Sequence, residues 1–373
     1  MKNGLDEQYI DLLKDILENG IKKDTRNGKV LSVFGRTIRF KFKDGKFPLL
    51  TTKKMYFKGI VTELLWFLRG DTNIKYLVDN DCHIWDGDAY KNYLIEDAKI
   101  LPNMSKEKMT ELGYRLTQEE FINKTKTDDE FAKKWGDLGP VYGKQWRNWE
   151  GKGDYRLPDK VSDWCYTESG LPLTEYQPKQ IDQIANLIQD LKTNPDSRRL
   201  MVNAWNVGEL DQMVLPPCHY GFQVYTRELS LAERLNLVST IIGEEKIRTH
   251  EDNLERVEKL NIPTRAISLM WNQRSCDFPL GIPANIMSYG ILLMMLAKQV
   301  NMVPDELIGN LGDCHIYLNQ IEGVKEQITR IPYKLPTVKL SDRIVSDLSE
   351  YTLNDIILEN YQYHPRIYFP LSN

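Results

Sequence analysis

A cysteine that lies between arginine-bearing segments carries the clearest chemistry in this chain. Cys218 stands in the motif Leu-Pro-Pro-Cys-His, after the pair Arg198 and Arg199 and before Arg274 in Gln-Arg-Ser-Cys-Asp. A thiol attacks as its thiolate, and neighbouring positive charge lowers the thiol pKa. Arginine also binds phosphate through paired hydrogen bonds. The pattern predicts a nucleophilic Cys218 with a lowered pKa, acting covalently on a small phosphorylated molecule.

Each of these residues also has an ordinary structural interpretation. Free cysteine is among the most buried residue types and usually only packs, but the two prolines before Cys218 predict that an element starts or ends there. Arg198 and Arg199 are equally consistent with a solvated pair after a turn at 194–197. Asn285 is consistent with a cap of the helix that follows it.

Glu63 is the carboxylate within an otherwise apolar segment at 59–68. A buried carboxylate is costly unless it is paired or used. Helical glutamates are usually exposed, so the alternative is a solvated residue on the polar face of a helix.

Composition limits the class of protein. The 373 residues are 41% hydrophobic and carry a net charge of -4, enough for one large domain or two. Stable nucleic-acid binding is not expected, because it needs a basic surface. The apolar run at 289–297 is shorter than the ~18 residues that span a membrane.

The cysteines indicate a reducing compartment. They stand singly, with no Cys-x-x-Cys pair, at positions 82, 165, 218, 276 and 314. An odd number of cysteines in a chain of this length favours free thiols in a cytoplasm, and the charged N-terminus shows no secretory signal. No His or Cys spacing suits a metal, so no metal is expected.

Apolar periodicity predicts an α+β domain. Helical spacing at 5–17 ends at Gly20, and alternation predicts a strand at 37–42. Further strands are predicted at 200–205, 221–226 and 266–271, and a buried helix at 286–300. Polar segments at about 88–134 and 227–264 interrupt this pattern, so we expect surface insertions on a single domain spanning 1–373.

Eight separated motifs resemble the thymidylate synthase family over nearly the whole chain. They are TELLWFLRGDTNI at 62–74, IWD at 84–86, GDLGPVYGKQWR at 136–147, DSRR at 196–199, AWNVGEL at 204–210, LPPCH at 215–219, QRSCD at 273–277 and GDCHIY at 312–317. The resemblance implies an α+β homodimer that uses dUMP and 5,10-methylenetetrahydrofolate. If the source is viral, the compartment is the host cytoplasm.

The resemblance also implies residue roles. Cys218 would add to carbon 6 of the pyrimidine, Glu63 would organise water and proton transfer, and Tyr142 would lie near the carbon 5 proton. The remaining substrate-binding residues would be Arg26, Arg274 and Ser275 on the phosphate, Arg198 and Arg199 of the partner subunit, His315 and Tyr317 on the deoxyribose, Gln223, and Asp277. The folate-binding residues would be Tyr56, Ile84, Trp85, Asp277, Leu280, Gly281 and Ser372.

Asn285 addresses the choice of base. Its amide can donate to carbonyl oxygen 4 and accept from the ring N3–H, which suits uracil. Deoxycytidylate hydroxymethylases of the family have aspartate there, so the resemblance implies dUMP.

Several positions depart from the family pattern. Gly87-Asp88-Ala89 replaces the usual second tryptophan, Ala284 replaces phenylalanine, and the tail ends Phe-Pro-Leu-Ser-Asn instead of in a small apolar segment. Tyr56 stands where many relatives have histidine, and the loop near Arg26 is one residue shorter. Most of these changes fall around the folate.

These departures bear on how an exocyclic methylene intermediate would be consumed. Hydride transfer from folate requires a dry, closed site, whereas attack by water gives a hydroxymethyl group. We therefore expect a deoxyuridylate hydroxymethylase of the kind found in viruses with 5-hydroxymethyluracil DNA, such as phages. The alternative is an ordinary thymidylate synthase in which these positions tolerate change. A third alternative, an inactive relative that binds nucleotide or RNA, is disfavoured by the intact Cys218 and Glu63.

Overall fold

Helices and strands are mixed along the chain. The computed structural model describes residues 4–100, 115–156, 175–242 and 250–371. Within them the helices are α1 (Gly4–Asn19), α2 (Phe57–Leu68), α3 (Lys75–Asp79), α4 (Asp86–Ile100), α5 (Gln118–Thr127), α6 (Asp129–Trp135), α7 (Tyr142–Arg147), α8 (Gln183–Thr193), α9 (Leu231–Ile242), α10 (His250–Lys259), α11 (Gly281–Gln299) and α12 (Ile321–Gln327). Short 3-10 turns lie at Val207–Gln212, Leu318–Gln320, Leu348–Glu350 and Leu353–Asp355.

A mixed sheet forms the framework. The strands are β1 (Ile21–Thr25), β2 (Gly28–Lys41), β3 (Trp149–Arg156), β4 (Glu175–Ile181), β5 (Met201–Asn203), β6 (His219–Glu228), β7 (Arg265–Asp277), β8 (Val303–Tyr317), β9 (Thr337–Leu340) and β10 (Ile356–Glu359). Six of them pair in the order β1-β2-β8-β7-β6-β5, while β3 pairs with β4 and β9 with β10. The predicted α+β class is confirmed.

The β7–β8 pair is parallel, and its neighbours in the sheet are antiparallel. A parallel pair needs a crossover, and α11 supplies it by packing against both strands. Leu292, Leu293 and Leu296 of α11 are fully buried, and each such side chain contributes about 1.5–3 kcal/mol. The predicted buried helix is confirmed and begins five residues earlier, at Gly281 rather than Ile286.

Helix α11 has the length and composition of a membrane-spanning segment. Its 19 residues reach a mean hydropathy of 1.2, but 67% of the apolar window is buried inside this protein. The helix is therefore accounted for as the centre of the core.

Other predicted elements differ mainly in length. The helix at α1 ends where Gly20 N–H bonds to Ile16 O, as predicted. The strand at 37–42 is the end of the longer β2. The strand predicted at 200–205 is reduced to Met201–Asn203, because Asn206 then caps a 3-10 turn.

The two polar segments have different packing. In the first, Tyr93, Phe121 and Phe131 of α4, α5 and α6 form an aromatic cluster, and Tyr93 and Phe121 join the main core. In the second, α9 and α10 enclose their own small cluster around Val238 and Val257. We propose that both are excursions on one domain.

Gly139 is required by the turn that leads into α7. Its φ is +76°, and a Cβ there would stand 2.1 Å from the backbone oxygen of Gln212. Gly35 has a similar φ of +72° with nothing within 4 Å of the added carbon. An added side chain would meet left-handed backbone strain at both positions, but it would clash with a neighbouring backbone oxygen only at Gly139.

We therefore predict that Gly139→Ala lowers the free energy of unfolding by about 3 kcal/mol, from left-handed strain plus steric displacement. Gly35→Ala is the matched control and should cost about 1 kcal/mol from strain alone. Urea unfolding of both variants measures the difference. Equal losses would contradict the close approach at Gly139.

Candidate active site

The carboxyl ends of β7 and β8 lie beside the start of β6, and the predicted site residues gather there. Because β7 and β8 are parallel, Asp277 pairs with His315 at their ends. Strand β6 runs antiparallel to β7 and begins at His219. This register brings Cys218, the residue before β6, next to Arg274.

The backbone of Cys218 is held from both sides. Its N–H donates to the Tyr142 hydroxyl at 2.7 Å, and its carbonyl accepts from the Arg274 N–H at 2.9 Å. The Arg274 guanidinium donates to Pro217 O and Pro216 O, both at 3.0 Å. As predicted, the Pro-Pro-Cys motif fixes the start of an element, and its carbonyls also orient the arginine.

Burial raises the pKa of the Cys218 thiol, which is the opposite of the lowering that the arginine pattern predicted. Arg274 and the Ser275 hydroxyl act to lower this pKa, but burial outweighs them. The carboxylates of Asp88 and Asp277 raise the pKa of the Cys218 thiol further. The charge of one arginine is too little to offset desolvation of the thiolate.

Glu63, on α2, is an acid whose pKa lies near neutrality. Trp85 Nε1 donates to Glu63 Oε1 at 2.7 Å. Burial raises the pKa of Glu63 from 4.5 to about 7, although the Trp85 hydrogen bond opposes the rise. The solvated interpretation is therefore wrong, and the carboxyl group is suited to proton transfer.

Tyr142 lies close enough to both Cys218 and Glu63 for each to affect its pKa. Burial and the nearby Cys218 raise the pKa of Tyr142 well above its ordinary value, and Glu63 adds to the rise. The Tyr142 ring stacks on His219 at 4.3 Å, and His219 Nδ1 lies 2.9 Å from the Tyr289 hydroxyl. Burial lowers the pKa of His219 to about 3, so this imidazole is neutral.

His315 and Tyr317 project from the end of β8. Their rings meet edge to face at 5.3 Å, and His315 Nδ1 lies 3.2 Å from Asp313 Oδ1. Burial raises the pKa of Tyr317, while Asn27 and Arg26 in the β1–β2 turn oppose the rise. The predicted Arg26 thus lies on the Tyr317 side of the site, with its side chain exposed.

Asp277 is held at the base of α11. Its two oxygens accept from Leu280 N–H at 3.2 Å and from Gln320 Nε2 at 3.4 Å. Burial raises the pKa of Asp277, and Lys53 opposes the rise. Lys53 donates to Pro279 O, and burial lowers its own pKa to about 7.

The C-terminal segment packs onto the same residues. Gln320 Nε2 donates to Pro370 O at 3.2 Å, and Lys53 Nζ lies 4.8 Å from the centre of the buried Phe369 ring. The predicted folate-binding Ser372 lies outside the described residues. Within the described residues, the end of the chain is held by the buried Phe369 ring and by the Pro370 carbonyl.

Two predicted substrate-binding residues, Asn285 and Gln223, lie on separate elements. Asn285 is half-buried in α11, with Oδ1 3.8 Å from where a Cβ on Gly281 would stand. Gln223, on β6, donates to Arg198 O at 3.4 Å.

The predicted folate-binding residues Tyr56 and Ile84 are more exposed than the other predicted folate-binding residue beside them, Trp85. Tyr56 is 48% exposed and Ile84 39% exposed, while Trp85 beside them is buried. The Tyr56 hydroxyl donates to Asp81 O.

Arg198 and Arg199 do not join the site within one protomer. Both side chains are exposed, and neither forms an ion pair with any residue that the structure describes. Likewise, no group of three or more His, Cys, Asp or Glu suited to a metal is found among those residues.

The sequence did not single out three residues that shape the site. Lys53 is half of a Lys-Lys pair that resembles a solvated surface, and Gln320 lies outside every motif. Trp205 stands within a quoted motif, yet only the fold places the Arg274 guanidinium over its ring, at 5.1 Å.

Clustered groups with shifted pKa values at converging strand ends are typical of an enzyme active site. A family model described as thymidylate synthase matches residues 7–373. Relatives named thymidylate synthase include that of Mycoplasma genitalium (strain G37), 40% identical over 364 aligned positions, with 97% of this chain and 98% of the relative covered. Those of Mycoplasma mobile and of Listeria monocytogenes serotype 4a (strain HCC23) are 38% identical over 362 positions and 36% over 379, covering 97% and 98% of this chain and 98% and 99% of theirs.

The chain belongs to the thymidylate synthase family. The predicted resemblance is confirmed, and the match supports the transferase chemistry of that family, one-carbon transfer to carbon 5 of dUMP.

The raised pKa of Glu63 has a measurable consequence for stability. Between its ordinary value of 4.5 and about 7, the folded protein binds this proton more tightly than the unfolded chain, so stability falls as pH rises through that window. Glu63→Gln removes the effect and keeps an oxygen for Trp85. We predict that, between about pH 5 and pH 8, the variant gains up to about 3 kcal/mol relative to the parent.

Urea unfolding at a series of pH values measures this difference, and turnover of Glu63→Gln should fall by about a hundredfold or more. A stability difference that does not change with pH would contradict a raised pKa at Glu63.

Proposed function

We propose that the protein converts dUMP and 5,10-methylenetetrahydrofolate into dTMP and dihydrofolate. The observation that carries this proposal is that Tyr142, whose hydroxyl accepts from the Cys218 N–H, also feels the charge of Glu63, an acid with a pKa of about 7. This arrangement supplies a nucleophile and a proton-transfer group in one site.

The first half of the reaction uses Cys218 as the nucleophile. Its sulfur, deprotonated, bonds to carbon 6 of the pyrimidine, and the electron pair moves to the carbonyl oxygen 4 as an enolate. Asn285 donates to that oxygen, and water ordered by Glu63 transfers protons to and from it. Carbon 5 then attacks the folate methylene.

In the second half, carbon 5 loses its proton on the Tyr142 side and tetrahydrofolate leaves, which produces an exocyclic methylene. A hydride from tetrahydrofolate reduces the methylene to methyl, and dihydrofolate forms. Cys218 is then expelled as the carbon 5–carbon 6 double bond re-forms, so the enzyme is regenerated.

The docked tail favours hydride transfer over attack by water. Phe369 is only 5% exposed, and Pro370 O is bonded to Gln320, which also bonds to Asp277, the proposed pterin contact. A tail seated in this way helps to exclude water from the folate side. The names of the relatives agree with this choice.

Hydroxymethylation is the second candidate, and Asp88 is the observation that favours it. This carboxyl group is half-buried, and burial raises its pKa while the charge of Arg26 opposes the rise. The same carboxylate adds to the rise in the pKa of Cys218. A polar group at that place can order a water near the methylene. The product would then be 5-hydroxymethyl-dUMP, with tetrahydrofolate released.

We further propose a homodimer in which each protomer binds phosphate with Arg26, Arg274 and Ser275, and receives Arg198 and Arg199 of the partner subunit. Met201 and Tyr225 support it. They lie on the same sheet face as Gln223 and are 55% and 68% exposed, an apolar surface beside the two free arginines. The additional guanidinium groups also supply positive charge that the Cys218 thiol lacks in one protomer.

The decisive experiment identifies both products. Protein, 5-tritiated dUMP and methylenetetrahydrofolate are incubated, and the nucleotide is analysed by mass spectrometry. We expect tritium release, dTMP and dihydrofolate. Recovery of 5-hydroxymethyl-dUMP with tetrahydrofolate would replace this proposal by the second candidate. Cys218→Ser is the control and should release no tritium.

Asn285→Asp tests the choice of base. An ionised aspartate only accepts hydrogen bonds and cannot donate to carbonyl oxygen 4 of uracil, so we predict that the ratio of kcat/KM for dUMP over dCMP falls by about a hundredfold or more. Steady-state rates with each nucleotide measure the ratio. An unchanged ratio would remove Asn285 from base recognition.

A further inference from the structure

The two free arginines stand on a short turn, residues 194–199, which we name the arginine loop. Its internal hydrogen bonds are few: Ser197 N–H to Asn194 O at 3.1 Å, and Arg199 N–H to the Ser197 hydroxyl at 3.1 Å. An exposed turn held only by such contacts would sample several orientations. Any specific presentation of Arg198 and Arg199 needs support from outside the loop.

Besides the Gln223 amide that donates to Arg198 O, Arg265 at the start of β7 supplies such support. Its guanidinium donates to the Asp196 carboxylate and, through Nε and Nη2, to the Thr226 hydroxyl at 3.1 and 3.0 Å. The Thr226 hydroxyl in turn donates to Pro195 O at 2.7 Å. One side chain therefore fixes two consecutive residues of the arginine loop.

The surroundings restrict the guanidinium end of this contact, whereas the Asp196 side chain is 72% exposed. The Arg265 side chain is 14% exposed and Thr226 is buried, so the guanidinium is partly desolvated and its geometry restricted. Glu228 lies farther away, at 3.7 Å, and is 86% exposed. Asp196 is thus the carboxylate that orients the guanidinium.

The position of Arg265 is set by the base of the α9–α10 excursion. Leu229 N–H bonds to Thr264 O at 2.8 Å, which closes the excursion one residue before Arg265. Arg227, on the other side of the base, bonds instead to Asp305 and Glu233, at 2.8 and 2.9 Å. Arg227 stabilises the excursion without contacting the arginine loop in the described structure.

We infer that Arg265, through Asp196 and Thr226, is a positioning residue that orients the arginine loop for phosphate binding in the partner subunit's site. The inference rests on the proposed homodimer. Arg265 touches neither substrate nor the reacting atoms, and its effect is exerted on the affinity for dUMP in the other protomer.

The first test compares Arg265→Ala with Arg227→Ala. Phosphate contacts act equally on the ground state and the transition state, so Arg265→Ala should weaken dUMP binding and raise KM by about tenfold with little change in kcat. Arg227→Ala, the matched control for loss of an ion pair at the same base, should leave dUMP affinity unchanged. Calorimetric titration with dUMP and steady-state kinetics measure both.

Arg265→Lys keeps the charge and should recover most of the affinity. Asp196→Asn, at a side chain that is 72% exposed, tests the same contact if Arg265→Ala fails to fold. Equal losses of dUMP affinity in Arg265→Ala and Arg227→Ala would overturn the inference, because the effect would then be general destabilisation. Unchanged affinity in both Arg265→Ala and Asp196→Asn would also overturn it.

The second test asks in which subunit Arg265 acts. A heterodimer of an Arg265→Ala chain and a Cys218→Ala chain, purified through two different tags, has one site with an intact thiol and an intact arginine loop from the other chain. We expect the KM for dUMP of the parent enzyme and about half its kcat per dimer. A KM that stays raised would show that Arg265 acts in its own site, and would overturn the inference.

A parallel heterodimer of Arg199→Ala and Cys218→Ala chains separates this inference from the proposed function. If its KM is restored while the Arg265→Ala heterodimer remains impaired, the dimeric phosphate site stands and only the role of Arg265 falls. If neither heterodimer recovers, the proposed sharing of arginines is itself wrong, and the inference falls with it.

Discussion

The backbone of Cys218 is fixed by two hydrogen bonds from different parts of the fold, and the site is built around that constraint. The N–H reaches the Tyr142 hydroxyl at 2.7 Å, and the carbonyl accepts from Arg274 N–H at 2.9 Å. These bonds tie the start of β6 to α7 and to β7. Since backbone groups cannot rotate away as side chains do, the Cα from which the sulfur projects has little freedom relative to α7 and β7.

Burial is the common electrostatic cause in this site. It raises the pKa values of Cys218, Glu63 and Asp277 and lowers that of Lys53 to about 7. Each of these shifts favours the neutral form of its group. Such a site is poised for proton exchange, and it depends on substrate and on additional cations to stabilise the thiolate.

Local signals in the sequence predicted the elements and the family motifs well. The Pro-Pro-Cys motif, the apolar segment of α11 and the carboxylate Glu63 within its apolar run are each visible in consecutive residues. The sequence did not predict the effects of desolvation or of contacts between residues far apart in the chain. The thiol pKa was expected to fall because arginines are visible in the sequence, whereas the depth of burial is not. Lys53, Gln320 and Arg265 act through partners that only the tertiary fold brings near.

The Tyr9 side chain joins the first helix to the segment that follows β7. The Tyr9 hydroxyl donates to Phe278 O at 2.9 Å, the residue after Asp277, and β2 lies against β8 across nearly its whole length. The amino-terminal half therefore has no finished sheet to join until β8 emerges from the ribosome. Because His315 and Tyr317 stand at the end of β8, the proposed nucleotide site cannot be complete before that strand has been synthesised.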